Sequence, residues 1–475
     1  MTLTPVRSFT GSQLAVAFSL AALALLAVTP NLFSQEEPPP PAVPPAAAAS
    51  VVAPSPGVGL YVGPQACGTA MCHGAVAPRG VYDVRQDEYH LWSLEDPHAR
   101  SYETLSDERS AVIARNLGLG RPAREEPSCL ACHAFEPPPA RLADGWAVEE
   151  GISCEACHGP AGGWLGTHDQ RGWTRADSVA AGMTETRDPA VRAALCLDCH
   201  LDGPGRTLDH RLLAAGHPPL TFELDNFAAA VSHWRERPEA DGVRGWAVGQ
   251  VAALERELAT IVARAGRGEW PELAHLRCGD CHHAISEQRW RQAEGPVTGL
   301  PRWSPARWAA LRHVVAAASP AEEERLGAAL AEVARTVGRL GTPPAEVARA
   351  AGAAADRAAL AMPAVRAARW GRAETLAVLA AIAAEPTAAA DAESARQAAF
   401  AANSLASALV AADPGVLRGG IPDAVEAVYR STLDPYGFDR ARFTAALDDL
   451  AAAVARARGA DPVTAERKTT MRSER

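Results

Sequence analysis

A chain of 475 residues is long enough for two or three domains, and its 48% hydrophobic content is that of ordinary soluble globular protein. Its 56 acidic residues outnumber 46 basic ones, so no basic excess is available to neutralise a phosphate backbone, and nucleic acid is excluded as the expected partner. Lys468 apart, every basic residue is an arginine, a side chain that suits bidentate pairing with carboxylates.

The chain begins with the layout of an export signal: Arg7 followed by an uncharged apolar run, Leu14 to Val28. Those 15 residues reach about 22 Å as a helix, short of the roughly 30 Å bilayer core, which favours a cleaved signal peptide over an anchor for residues 1–35. Either way the expected location is periplasmic or otherwise extracytoplasmic, with membrane association through this segment if it is retained. Residues 36–59 are a Pro/Ala-rich linker in which proline removes backbone donors. Residues 60–301 hold all 10 cysteines and 13 of the 14 histidines, with scattered glycine and proline and weak helical periodicity. The clearest helix there is Trp246 to Val262, whose apolar residues recur every three or four positions.

From residue 302 to 460 the texture becomes alanine-rich and amphipathic. Ser304-Pro305 and Ser319-Pro320 each read as an N-cap followed by proline at the first helical position. The second start continues through Leu326, Leu330, Val333 and Val337, and further helices are expected over 374–384, 388–411 and 440–458. An all-α C-terminal domain follows, a packing or docking module with His313 as its single histidine. Residues 461–475 form a polar tail.

Four times the chain reads Cys-x-x-Cys-His: Cys129, Cys132, His133; Cys154, Cys157, His158; Cys196, Cys199, His200; and Cys278, Cys281, His282. A fifth set, Cys67, Cys72, His73, has wider spacing. Two intervening residues let both thiols reach the vinyl groups along one porphyrin edge, and the next imidazole falls under the iron. Zinc ribbons, disulfides and a thioredoxin-like redox motif also use paired cysteines. None of them requires a histidine directly after every second cysteine, whereas covalent haem does. The reading is five haem c groups with their iron.

With the five proximal histidines assigned, His90, His98, His168, His210, His217, His233, His275, His283 and His313 remain for the distal positions, enough for every iron to take two imidazoles. Usable methionine is confined to Met183 and Met362, so low potentials are expected. Trp92, Trp146, Trp164, Trp173 and Trp234 are expected to pack on haem edges.

The segments YVGPQACGTAMCHG (61–74), DPHARSYETL (96–105), GISCEACHGPAGGWLGTHD (151–169) and DHRLLAAGHPPLTFEL (209–224) resemble the exported multihaem cytochromes related to the tetrahaem electron acceptor of ammonia oxidation. The resemblance covers residues 60–290 or so and implies that His98, His168, His210, His217 and His233 are the distal ligands. The expected fold, read from periodicity and haem density, is mainly α: a haem-packed cytochrome domain with little regular structure, followed by the all-α domain. This chain departs from the four-haem relatives by its additional attachment motif, so their role in ammonia oxidation is not carried over.

The functional expectation is an electron-transfer protein with a redox protein as donor and another as acceptor. The alternative is a multihaem oxidoreductase acting on a small nitrogen or sulfur compound at one five-coordinate haem. A lysine-ligated catalytic haem is excluded, because no attachment motif ends in lysine.

Overall fold

The computed structural model describes residues 59–79, 84–203, 205–230, 232, 242–282, 302–339, 341–434 and 437–459. The apolar run Leu14 to Val28, most of the linker, His233, Trp234, His283 and the polar tail lie outside these residues. Among the described residues the fold is mainly α, as expected, with isolated bridges such as Tyr61 to Leu142 in place of β-strands. No helix among them is long and apolar enough to cross a membrane.

The helix expected at Trp246 to Val262 runs over Gly242–Gly266. It is apolar on nearly every face, with Trp246, Val248, Val251, Leu254, Leu258 and Ile261 completely buried, so it serves as a central rod and not as a surface helix. Gly249 lets the short helix Leu224–Ala230 cross closely, because a Cβ there would stand 2.8 Å from the Leu224 Cβ.

The rod is covered mainly by Pro344–Ala367, a helix that sequence periodicity did not reveal. Its buried stripe is almost all alanine (Ala350, Ala351, Ala354, Ala358, Ala361), and Pro363 lies inside it. Small side chains let the two backbones approach, and they also erase the hydrophobic contrast by which a helix face is recognised. The helix Ile421–Arg430 was likewise not foreseen. The remaining expected helices are found at Pro320–Val337, Arg372–Ala383, Ala392–Ala412 and Arg440–Gly459. Ser319 caps the first of these by accepting from the Glu322 N–H.

Ser304 does not cap a helix. Its hydroxyl donates to Asp391 at 2.9 Å, and the short helix Ala306–Ala309 starts after Pro305 without a side-chain cap. One hydrophobic core runs from Val243 on the rod to Ala457 on the last helix, passing without a break across the change in sequence texture near residue 302.

The part before the rod is built differently. Short helices and 3-10 turns follow one another from Pro64 to Ala230, and the buried cluster there consists of Ala193, Leu197, Phe222, Leu224 and, from the rod, Ala253. So small a core, spread over so long a stretch, fits a segment whose interior surface is supplied largely by something other than polypeptide.

Candidate haem-attachment and ligation sites

Three of the narrow motifs lie on helices: Pro127–His133, Cys154–His158 and Pro189–His200. In a helix the positions i, i+3 and i+4 share one face, so both sulfurs and the following imidazole project together. In the fourth narrow motif, Cys278 opens a 3-10 turn, Cys278–Asp280. Asp280, between its two cysteines, accepts from the Arg302 backbone N–H at 2.8 Å and from its guanidinium at 2.6 Å, pinning the turn to the chain that leads into the helical region.

The wide first motif is a loop that closes on itself. His73 N–H donates to the Cys67 carbonyl at 3.1 Å, and a Cβ on Gly74 would lie 1.9 Å from the Gly68 carbonyl oxygen, so only glycine fits that crossing. This closure sets the backbone at Cys72 and His73 beside that of Cys67 despite the wider spacing.

Glu155, inside the motif Cys154-Glu-Ala-Cys157, is 2% exposed. Its carboxylate accepts from the backbone N–H groups of Val62, Gly63 and Ala161 at 2.7 to 2.9 Å. It thereby ties the first attachment loop to the third. The thiols of the same two sites touch, Cys67 against Cys154, and a second contact joins Cys132 to Cys199. Cys157 lies within electrostatic range of Cys196 and Cys199. The interacting thiols set the first site beside the third and the fourth beside the second.

Burial pushes the Cys157 thiol up to about 11 and the Cys196 thiol to about 12. Contact with Cys67 and burial likewise raise Cys154. No disulfide joins any two of the 10 cysteines, and among the described residues no cluster of three or more potential metal ligands is present.

Four of the five proximal histidines each face a second histidine. Ring centres are 6.2 Å apart for His73 and His168, 6.4 Å for His133 and His217, 5.9 Å for His98 and His200, and 6.1 Å for His210 and His282. Two imidazoles bound to one metal through nitrogens at about 2 Å hold their ring centres roughly 6 Å apart, so the spacing fits a bis-imidazole iron. His158 is the remaining proximal candidate; His233, expected as a distal ligand, lies outside the described residues. His210 and His217 share one short segment, the helix His210–Ala214 and its exit, where His217 N–H donates to the Leu212 carbonyl. The segment thus joins the second and fifth sites.

The outer nitrogens are also held. His73 Nδ1 is 2.9 Å from the Glu88 carboxylate and His98 Nδ1 is 2.9 Å from that of Asp96. His133, His168 and His217 direct Nδ1 to the carbonyls of Ser101, Leu165 and Pro218 at 3.1, 2.9 and 2.8 Å. His200 stacks on Phe222 at 4.6 Å, and burial drops its pKa to about 4, so it is neutral and able to bind metal. Trp164 packs edge-on against His168, with its indole N–H buried and unpartnered by protein. Sequence reasoning missed Glu88, Asp96, Glu155 and Phe222; only Asp96, an N-cap residue two positions before a histidine, carried a local signal.

His313, one of the spare histidines, is occupied otherwise: its Nε2 lies 2.9 Å from Glu385.

Cysteine pairs each followed by a histidine, with four of those histidines meeting a second imidazole, have the pattern of a c-type cytochrome site. Residues 66–159, which contain the first three attachment motifs, match the family model described as Cytochrome c554 and c-prime. That match supports a c-type cytochrome over this part of the chain, with covalent haem c and its iron and an electron-transfer role. No curated protein and no solved structure matches the chain.

Proposed function

We propose that the protein is an extracytoplasmic electron conduit with five covalent haems, each attached at one of the Cys/Cys/His sets and held by two histidines. The observation that carries this reading is the pairing of four proximal histidines with His168, His217, His98 and His210 at 5.9 to 6.4 Å. An iron between two imidazoles has no open position for a substrate, so it exchanges electrons and does not bind small molecules. His233 is the proposed partner of His158, completing the set implied by the resemblance.

Adjacent attachment sulfurs support the series first, third, fourth, second, and the segment from His210 to His217 adds the fifth site beside the second. Redox proteins at the two ends would serve as donor and acceptor, and the N-terminal apolar segment would direct export and, if kept, hold the protein at the membrane. The test is exposure of the ferric and ferrous protein to cyanide and carbon monoxide. A bis-histidine conduit binds neither rapidly and shows an all-low-spin ferric spectrum. Rapid binding at one haem would replace this reading with an oxidoreductase.

A further inference from the structure

Paired imidazoles alone would make the sites equivalent, but their outer nitrogens are not treated alike. At the first site Glu88 places Oε2 2.9 Å from His73 Nδ1, while its Oε1 is fixed by the Arg85 backbone N–H at 2.7 Å. At the fourth site Asp96, 4% exposed, takes both the Nδ1 and the backbone N–H of His98 on one carboxylate oxygen, at 2.9 and 3.0 Å. At the second site His133 and His217 both meet neutral carbonyls.

A carboxylate accepting from Nδ1–H draws the proton toward itself and leaves the imidazole more basic at Nε2. The negative charge also lies close to the metal in surroundings of low dielectric. Both effects favour the ferric state. A carbonyl supplies only a dipole and does so more weakly.

We propose that Glu88 and Asp96 are positioning residues that set the reduction potentials of the first and fourth haems, holding both below that of the second. The inference rests on the histidine pairing proposed above. It gives the series a direction: electrons placed on the first or fourth haem run downhill to the second, from which the fifth is reached through the segment shared by His217 and His210.

The experiment is a spectroelectrochemical titration of the full haem-loaded protein carrying Glu88→Gln or Asp96→Asn. Glutamine keeps an acceptor for the Arg85 N–H, and asparagine is as good an N-cap as aspartate, so each change removes charge and leaves the local fold in place. Each variant should keep its low-spin spectrum and make reduction of one haem about tenfold more favourable, a rise of about 59 mV for a one-electron step. Titrations that superimpose on the unmodified protein, with ligation intact, would overturn the inference. Low-spin spectra unchanged in His168→Ala and His98→Ala would instead overturn the ligation reading itself. If either carboxylate variant fails to accumulate, the unmodified protein still decides. The second and fourth sites, whose rings are near-perpendicular, give the most anisotropic low-spin signals, and these should titrate apart by about tenfold in reduction equilibrium. Coincident titration would overturn the inference.

Discussion

His98 and His200 meet with ring centres 5.9 Å apart and planes at 84°, whereas His73 and His168 meet at 6.2 Å with planes at 11°. Ring orientation controls how the two iron d orbitals of π symmetry split. Parallel imidazoles separate them, and perpendicular imidazoles leave them nearly equal in energy. His133 and His217, at 82°, belong with the perpendicular class, and His210 and His282, at 28°, with the parallel one. Electron paramagnetic resonance of the ferric protein should therefore contain both kinds of low-spin signal. A spectrum with only the parallel type would contradict the arrangement at His98/His200 and His133/His217.

The long helix Gly242–Gly266 belongs to the same core as the helices that follow residue 302, so the two regions should unfold together. Leu254 is fully buried on that helix, and Leu254→Ala should cost about 2–5 kcal/mol through lost burial and the cavity left behind. Thermal unfolding followed by helical circular dichroism and by haem absorbance should shift by the same amount. A shift confined to one signal would mean that the core does not couple the regions.

Glu257 accepts from the Trp303 indole N–H, and burial pushes its carboxyl up to about 7. An unfolded glutamate loses its proton near its ordinary value of 4.5, so between about 4.5 and about 7 the unfolded state is the one that has released it. Stability from this group falls as pH rises through that window. Glu257→Gln keeps the acceptor and should flatten the decline. Glu223, likewise raised to about 7 by burial, leaves a residual slope. An unchanged slope in the Gln variant would show that Glu257 stays charged throughout.

Glu385 behaves in the opposite sense. Burial pushes its carboxyl up, but hydrogen bonds from His313 and from Thr387 outweigh this and hold it at about 2. Its contribution is complete above about 4.5 and is lost as pH falls toward 2. His313→Ala should cost about 1–3 kcal/mol near neutral pH, with a smaller difference at strongly acid pH and no loss of any haem's low-spin signal. Loss of such a signal would make His313 an iron ligand.

The attachment motifs were legible because each is local: two cysteines and a histidine lie within five to seven consecutive residues. Helices with contrasting faces were legible for the same reason. Pro344–Ala367 was not, since its buried stripe is alanine and differs little in hydropathy from its exposed face. Nor was the Ser304 hydroxyl's partner, because Asp391 lies 87 positions away. The pairing of distal with proximal histidines depends on tertiary placement: His98 crosses to His200 while His168 returns to His73, an order that no spacing in the chain encodes. Glu88 and Asp96 are two acids among 56 until the fold turns His73 and His98 toward them.

The most direct test of the central claim is the intact mass of the mature protein together with its iron content. Attachment at Cys67/Cys72, Cys129/Cys132, Cys154/Cys157, Cys196/Cys199 and Cys278/Cys281 predicts a polypeptide heavier by five haems, with five irons per chain and no free thiol. A mass increase of four haems with Cys67 and Cys72 still open to alkylation would contradict the closed-loop site, and zinc in place of iron would contradict the whole account.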